Sequence, residues 1–476
     1  MDELGAALER LGAGDVSDLG ALRSLVQAAD PEGRLAEVGL RDLRIGTGLV
    51  DALPDVVAAL GVDGPVLVAV DASPMHDAAG RDVKAAALGS LAARFDARPV
   101  ELGADLHADE VTVAAATEAL AGAACVVCVG SGTIADICKA ATMAADPRPG
   151  LVLLQTADSV NGYADDFSVL LKAGVKRTTP TRWADALLID LDVVAGAPDR
   201  MTAAGFGDSI ATWTASPDWR LANLVGMEEG WHPVPFALAG PPARTLLDVA
   251  EGVRSNEPGA LDVVARSLTA SGLAIGLTGT TGCLSGGEHL VSHLLDMEAG
   301  ARHAPTALHG AQVGLATVLM AVVWEELLDR EALPVGVPER EAVQAAVDAA
   351  FAPLDPDGSM RAECWSDCAR KLDRWGSVQD RVAEVAREWP SHREALRELT
   401  LPAEAVAAAM RRARAPIRFA ELDPPVSDAV GRWALAHCHL MRNRFTAVDL
   451  LAYAGEWDDA SVDRVLARAG ELGAGL

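Results

Sequence analysis

"CVVCVGSGTIADICKAAT", residues 125–142, joins a β-rich apolar run to a Gly-Ser-Gly turn and then to a segment with helical spacing. The run predicts a buried strand that ends at Val129, and the spacing after the turn predicts a helix that begins near Thr133. Small residues in such a turn let the backbone approach a phosphate, towards which the first N–H groups of the helix would point. Asp136 offers an alternative, because an acid three residues after Thr133 also suits a capping box. The stretch therefore indicates either a nucleotide site or an ordinary capped strand–helix turn.

Other short apolar runs surround this stretch and alternate with Ala- and Leu-rich segments of helical spacing. The predicted strands are "PVLVAV" (65–70), "LVLLQ" (151–155) and "ALLIDLDVV" (186–194), and the predicted helices lie within 82–95 and 111–123. Strands that alternate with helices are typical of parallel βαβ units, in which helices cover both faces of the sheet. The pattern predicts an α/β domain with a parallel sheet.

Beyond about residue 200 the β-rich runs stop, and the remaining segments have helical periodicity. We therefore expect an N-terminal helical arm over 1–40, an α/β dinucleotide-binding domain over 41–198 and an all-helical metal-binding and catalytic domain over 199–476. Within the last, the charged and Trp-bearing stretch 356–400 is expected to be a helical excursion at the surface.

The chain has 476 residues and a formal net charge of −28. This charge argues against broad binding of nucleic acid or of an acidic membrane, since both need a basic face. It leaves room for a small anionic substrate, which needs only a few local cations. The N-terminus lacks the features of a signal peptide, and we expect no membrane insertion.

Seven cysteines are present. Cys125, Cys128 and Cys138 fall in apolar segments, where free buried thiols are expected, and a metal or redox role for the CxxC spacing is disfavoured. Cys364 and Cys368, four apart on a predicted helix, are expected to pack rather than to react. This pattern is typical of a cytoplasmic protein with reduced thiols.

Histidines gather in one region of the second half of the chain. His289 and His293 are four apart in "GGEHLVSHLLDM" (286–297), and His309 opens a second apolar helix. Asp208 lies upstream in a helix-like segment. Singly, each histidine is more often a packed core or surface residue, and Asp208 suits a helix terminus. Together, one Asp and two or three His make a borderline metal site with open positions, which would polarise a substrate oxygen.

Two further features point to the carboxyl ends of predicted strands, where open α/β sheets bind ligands. The loop "LLQTADSVNGYADDF" (153–167) follows one strand, although its residues are also ordinary loop formers. Asp71 follows another strand and comes 59 residues before Gly130. The standard dinucleotide fingerprint places its acid after the glycines, so any shared nucleotide site would have a different chain order.

Four motifs in order, "GSGTIADICK", "FGDSIATWTA", "EHLVSH" with "LHGAQVGLAT", and "RNRFTAVDLL" (442–451), resemble the sn-glycerol-1-phosphate dehydrogenase family. That family lies within the iron-containing alcohol dehydrogenase, glycerol dehydrogenase and dehydroquinate synthase-like superfamily. The likeness covers roughly 40–350 and 430–460, so 356–425 is expected to be a family-atypical helical insertion. The resemblance implies a dehydroquinate synthase-like fold with a nucleotide domain followed by a helical one.

The resemblance also implies an activity: reduction of dihydroxyacetone phosphate, or a related hydroxy-ketone, to sn-glycerol 1-phosphate for phospholipid biosynthesis. Matched by motif, Asp208, His289 and His309 would bind one divalent metal, with zinc expected and nickel or iron as alternatives. His293 and Asn161 would contact substrate. The cofactor would be NAD(H) or NADP(H), with NAD favoured because Asp71 would bind the ribose hydroxyls and repel a 2′-phosphate. The other implied cofactor contacts are Gly130, Ser131, Gly132, Thr133, Ile134, Thr156, Ser159 and Asp165.

The sequence departs from the family at residues 161–165. Asn161 stands where the family has a substrate-binding aspartate, and Asp165 stands where it has a serine. Two alternatives to a dehydrogenase therefore remain: a dehydroquinate synthase-like lyase that closes a carbocycle, and a turnover-deficient family member that only binds its ligands. Candidate partners for a substrate phosphate are Lys139, Lys176, Arg177 and Arg444. A homo-oligomer is compatible with the family.

Overall fold

The computed structural model describes residues 3–104, 106–172 and 175–476. Six of its strands form one parallel sheet in the order β1-β8-β5-β4-β2-β3, and the other two form an antiparallel hairpin, β6-β7. The strands are β1 Asp42–Gly46, β2 Val66–Val70, β3 Ala97–Glu101, β4 Cys125–Gly130, β5 Gly150–Gln155, β6 Phe167–Lys172, β7 Val175–Pro180 and β8 Ala186–Asp190. The parallel sheet confirms the predicted fold class.

Twenty-one α-helices accompany the strands in the described part of the chain. Those that precede residue 212 are α1 Glu3–Ala13, α2 Leu19–Ala29, α3 Leu53–Ala59, α4 Val83–Ala92, α5 Glu110–Ala119, α6 Gly132–Ala144, α7 Leu191–Ala195 and α8 Asp199–Ile210. The later ones are α9 Thr212–Leu224, α10 Val234–Val253, α11 Pro258–Thr278, α12 Gly287–Ala301, α13 His309–Leu328, α14 Arg340–Phe351, α15 Ser359–Ser377, α16 Gln379–Arg387, α17 Trp389–Arg397, α18 Ala403–Arg412, α19 Asp428–His437, α20 Ala447–Tyr453 and α21 Asp459–Glu471.

By internal packing the chain forms two compact units. The first unit comprises Met1–Ser209 with Ala237–Gly279, and the second comprises Ile210–Phe236 with Thr280–Leu476. The domain boundaries expected from the sequence, including the insertion, stay a prediction.

The central strands of the first unit are buried on both faces, as their unbroken apolar runs predict. Every residue of β2, β4 and β8 is buried. Val68, Val127 and Leu154 belong to one cluster of buried side chains on this sheet. Burial of each such side chain contributes roughly 1.5–3 kcal/mol, so packing of this kind holds the carboxyl ends of the strands in place.

The predicted strand 186–194 is wrong in its second half, because β8 ends at Asp190 and α7 begins at Leu191. The carboxylate of Asp190 accepts a hydrogen bond from the N–H of Asp192 at 3.1 Å, which caps the helix. A side-chain cap thus overrides the β propensity of the run that follows.

In the second unit, the stretch expected to be a surface excursion contributes to the core instead. Trp375 and Trp389 are fully buried, and their indole N–H groups donate to Gly336 O and Arg330 O at 3.0 and 3.1 Å. Cys364 and Cys368 are also buried, as expected for packing residues. The segment is rich in charged residues, but its helices are amphipathic and their apolar faces pack into the core.

Two helices, α11 and α13, are long and apolar enough to span a membrane by length and composition alone. Their most apolar windows are 83% and 89% buried within the protein, as is usual for core helices. All seven cysteines are buried, and none is joined to another by a disulfide bond.

Candidate functional site

Three predicted cofactor positions follow neighbouring strands of the sheet. Asp71 follows β2, Gly130 ends β4 and Thr156 follows β5. β4 pairs with both of the other strands, and Gly130 is in register with Gln155, the last residue of β5. The carboxyl ends of these strands therefore lie side by side, at the edge where open α/β sheets bind ligands.

Two positions in the turn after β4, Gly130 and Gly132, have neighbours too close for a Cβ atom. A Cβ at Gly130 would lie 1.8 Å from Ile134 Cγ2, and one at Gly132 would lie 2.6 Å from Val160 Cγ2. Ser131 is the N-cap of α6 but makes no capping hydrogen bond through its side chain. The first N–H groups of α6 thus lack a side-chain cap, which suits anion binding at this end.

Asp136 has a different role from the suggested capping box. Its Oδ2 accepts a hydrogen bond from the N–H of Val169 at 3.2 Å, so it ties α6 to the β6-β7 hairpin. The capping alternative for this turn is therefore wrong.

Asp71 does not stand alone at the end of β2. Its Oδ1 lies 3.0 Å from Lys84 Nζ and accepts a hydrogen bond from the N–H of Ser73 at 3.1 Å. Both side chains of the ion pair are only 20–24% exposed. Lys84 therefore offsets part of the negative charge that was expected to repel a 2′-phosphate.

In the loop after β5, Asn161 is held at both its backbone and its side chain. Its N–H donates to Asp208 Oδ2 at 3.1 Å, and its Nδ2 donates to Ser271 Oγ at 2.9 Å. Ser159 in the same loop is buried. Ser271 supplies an acceptor for the amide, so the fold accommodates the departure from the family aspartate.

The second departure, Asp165, is paired within the protein. Its Oδ1 lies 2.9 Å from Lys139 Nζ, which also donates to Gly162 O at 2.6 Å, and both charged side chains are buried. Burial raises the pKa of Asp165, while the charge and hydrogen bond of Lys139 oppose that rise. Lys139 is thereby committed to Asp165, which argues against its predicted role as a phosphate partner.

Asp158 is the most deeply buried acidic residue of this loop. Its side chain is fully buried, and neither carboxyl oxygen has a hydrogen-bond partner among the described residues. Burial raises the pKa of Asp158 to about 8, with a smaller contribution from the charge of Asp262. The carboxyl group is therefore protonated at neutral pH.

Three of the four clustered histidines come together. The rings of His289 and His309 lie 5.3 Å apart between centroids, and His293 lies 6.4 and 5.8 Å from them. His289 and His293 are buried. His303, the fourth histidine of this region, is exposed and has a φ of 53°, so it lies at the surface away from the other three.

Neighbouring side chains set the tautomers of two of these rings. His289 Nδ1 lies 2.8 Å from Glu288 Oε1. His309 Nδ1 lies 3.0 Å from Ser292 Oγ, whose hydroxyl proton is donated to Gln312 Oε1 at 2.7 Å. The serine can then only accept from Nδ1–H. In both rings Nε2 is left with the lone pair that a metal needs.

Of the three predicted ligands, His289 and His309 in the second unit each offer an imidazole nitrogen, and Asp208 in the first unit offers a carboxylate oxygen. One carboxylate oxygen and two imidazole nitrogens suit a divalent borderline metal such as zinc, nickel or iron. The donor set therefore fits the metal that the sequence implies.

Glu288 is a residue of the site that the sequence pattern did not predict. It is fully buried and accepts from Gly286 N–H at 2.6 Å and Thr214 Oγ at 2.7 Å as well as facing His289. Burial would raise the pKa of Glu288, but the proton and charge of His289 and these hydrogen bonds together lower it. Its position directly before a histidine was the one signal in the sequence, and that position alone does not distinguish it from an ordinary acid on a helix surface.

Known proteins similar to this chain include glycerol-1-phosphate dehydrogenases. The family model "Iron-containing alcohol dehydrogenase" matches residues 44–198. The chain is 32% identical over 266 residues to the glycerol-1-phosphate dehydrogenase (NAD(P)+) of Bacillus subtilis (strain 168), a match over 55% of this chain and 65% of that one. It is 30% identical over 280 residues to the enzyme of the same name from Halorubrum lacusprofundi, a match over 59% and 75%.

Solved structures agree on the fold. A probable glycerol dehydrogenase from Sinorhizobium meliloti 1021 aligns with a TM-score of 0.54 at 15% identity, over 90% of this chain and 97% of that one. Glycerol dehydrogenase from Schizosaccharomyces pombe aligns with a TM-score of 0.53 at 14% identity, over 90% and 92%.

Proposed function

Because the chain belongs to the glycerol-1-phosphate dehydrogenase family of iron-containing alcohol dehydrogenases and is an NAD(P)-dependent dehydrogenase, we propose that it reduces dihydroxyacetone phosphate to sn-glycerol 1-phosphate. The observation that carries this proposal is the histidine cluster, in which Glu288 and Ser292 hold His289 and His309 with Nε2 as the ligating atom. Such preorientation is typical of a metal site that serves chemistry.

Asp208, His289 and His309 would hold the metal, with zinc as the first choice and nickel or iron as alternatives. When bound, the metal supplies Lewis-acid polarisation of a carbonyl oxygen, which makes the carbonyl carbon a better hydride acceptor. His293 lies next to both ligand histidines and is the side chain proposed to hydrogen-bond the substrate and to donate the proton that the product alcohol requires. Asn161 would position a substrate hydroxyl.

The cofactor would lie at the carboxyl ends of β2, β4 and β5. Gly130, Ser131, Gly132 and Thr133 would face its pyrophosphate at the start of α6, and Asp71 would accept hydrogen bonds from a ribose. NAD is proposed as the preferred cofactor, with NADP also used because Lys84 offsets part of the charge of Asp71. Replacing Lys84 with methionine should therefore raise the ratio of kcat/KM for NADH over NADPH.

The activity is tested by following NADH oxidation with dihydroxyacetone phosphate before and after treatment with a chelator. We expect oxidation that stops on metal removal and returns on addition of Zn²⁺, Ni²⁺ or Fe²⁺. Conversion of the product by an sn-glycerol-3-phosphate-specific dehydrogenase would contradict the proposed stereochemistry. Bound metal and NADH without oxidation of any small ketone would support the turnover-deficient alternative, and a product without net redox change would support the lyase.

The proposed division of roles among the histidines has its own test. His309→Ala should abolish metal retention after dialysis, whereas His293→Ala should keep the metal and lose turnover. His303→Ala, at an exposed residue just after the end of α12, is the matched control and should keep both. Equal metal loss in the first two variants would overturn the assignment of His293.

A further inference from the structure

The second unit contains a cavity of about 820 Å³ that none of the predicted catalytic or cofactor residues lines. Asp218, Thr280, Gly282, Arg444 and Phe445 form part of its wall. The volume is ample for a small phosphorylated molecule or for part of a larger one.

Four basic side chains line this cavity, and they differ in what neutralises them. Three form ion pairs: Arg370 with Asp367, Lys371 with Asp449 and Arg374 with Glu229. Arg444 has no carboxylate within ion-pair distance in the described part of the chain. Among the cations of this wall, it alone has a charge left for a ligand.

Hydroxyl groups hold the guanidinium of Arg444 in place. One of its terminal nitrogens donates to Ser285 Oγ and the other donates to Thr281 Oγ1 at 2.8 Å. These bonds use two of its five N–H donors and leave three for a ligand. Hydroxyls orient the group without cancelling its charge, which is the arrangement that bidentate recognition of a phosphate requires.

The surroundings of Arg444 favour the binding of an anion. Burial lowers the pKa of Arg444, while the charges of Glu288, Cys283, Asp218 and Glu228 act in the opposite direction. None of these groups contacts it as an ion pair. A bound dianion would offset the cost of burying the charge.

The anchor of Arg444 is also close to the histidine cluster. Ser285 precedes His289 by four residues, and a chain of four residues spans at most about 14 Å when fully extended. Between them, Gly287 N–H donates to Asp218 Oδ2 at 2.8 Å and Gly286 N–H donates to Glu288. The same fixed turn therefore carries the anchor of the cation at one end and a predicted metal ligand at the other.

We propose that Arg444 binds the phosphate of the substrate, so that this cavity accepts small phosphate monoesters whose carbonyl end reaches the histidine cluster. The inference rests on the proposed function and adds to it the residue that distinguishes a phosphorylated ketone from a free one. Lys139, with Asp165 beside it, is excluded from this role by its ion pair.

The test compares dihydroxyacetone phosphate with dihydroxyacetone as substrates of the metal-loaded protein. Arg444→Ala should raise KM for the phosphorylated ketone about 10- to 100-fold, the effect of losing a charge-assisted hydrogen bond to an ionised group. The kcat/KM for dihydroxyacetone should stay within about threefold of its original value on the same reasoning. Arg432→Ala, in the same unit but outside the cavity wall and paired with Asp459 and Asp463, is the matched control and should leave both substrates unchanged.

Equal losses on both ketones in Arg444→Ala, or no loss on either, would overturn the proposal. Arg444→Lys controls for a folding defect, because it keeps the charge. It should fold, and its KM for the phosphorylated ketone should lie between that of the original protein and that of Arg444→Ala. If the original protein reduces neither ketone, the proposed function fails, and calorimetric titration with inorganic phosphate decides the site alone. Binding that disappears in Arg444→Ala would then support the phosphate site, and absent or unaltered binding would refute it.

Discussion

Replacing Glu288 with glutamine should weaken metal binding without changing the ligand set. The carboxylate faces His289 Nδ1 at 2.8 Å, so it fixes the ring and makes Nε2 a stronger donor. Glutamine has nearly the same shape but is neutral. The ring would keep its place while losing the negative charge behind it.

The size of the effect follows from the contacts. Loss of a partner behind a ligand histidine typically costs about 10- to 100-fold in metal affinity, or roughly 1.4–2.7 kcal/mol. The carboxylate also accepts from Gly286 N–H and Thr214 Oγ–H. The glutamine oxygen can accept from both Gly286 and His289, which share Oε1 of the carboxylate, and its NH₂ group can donate to Thr214 Oγ, whose own proton can go to Ala211 O at 3.2 Å. The further stability cost should therefore be no more than about 1 kcal/mol, the contribution of one neutral hydrogen bond.

Competition with a chromophoric zinc chelator measures the affinity, and thermal unfolding of the metal-free proteins measures the stability cost separately. Glu298→Gln is the matched control, since it makes the same change on the same helix, at a residue paired with Arg302. Its metal affinity should equal that of the original protein. An unchanged affinity in Glu288→Gln, or an equal loss in the control, would refute the assignment of Glu288 as the partner of a ligand histidine.

Three further predictions concern the first unit. The pKa of Asp158 is raised from an ordinary 3.8 to about 8 in the folded protein. Protonation of this group therefore contributes stability that is fully present below pH 3.8 and is lost as the pH rises through 8. The unfolding midpoint of Asp158→Asn should therefore exceed that of the original protein by more at pH 8 than at pH 5, and an equal difference at both would contradict the buried neutral acid. Lys139→Met should cost about 3–5 kcal/mol in urea unfolding, and adding Asp165→Asn should cost less than the sum of the single changes because the unpaired charge disappears. Gly130→Ala should lower the unfolding midpoint through its 1.8 Å approach to Ile134, and Ile134→Ala should restore part of it if that contact is the cause.

The fold was predictable wherever local pattern and burial agree. β2, β4 and β5 are uninterrupted apolar runs because helices cover both faces of the sheet, and the observed strands differ from the predicted ones by a single residue. β3, "ARPVE", escaped prediction because it is an edge strand whose side chains are largely exposed. Such a strand needs no apolar alternation, so its sequence resembles a loop.

The candidate metal ligands could be selected from the sequence because their motifs are local, but the groups that orient them could not. Glu288 and Ser292 act through their orientation towards a histidine ring, and nothing in their spacing distinguishes this from ordinary helix surface. Only the packed structure shows that the hydroxyl proton of Ser292 is used by Gln312, which settles the tautomer of His309.

The phosphate candidates show why charge alone does not identify a binding residue. Lys139 and Arg444 looked equivalent in sequence, since each is a cation within a family motif. Folding brings Asp165, 26 positions along the chain, to 2.9 Å from Lys139, whereas it surrounds Arg444 with hydroxyls and leaves acids only at longer range. The charge of Asp165, the acid that departs from the family, is thus neutralised by Lys139 of α6. If both readings hold, Asp165→Asn should alter stability far more than cofactor affinity, whereas Arg444→Ala should alter substrate affinity far more than stability.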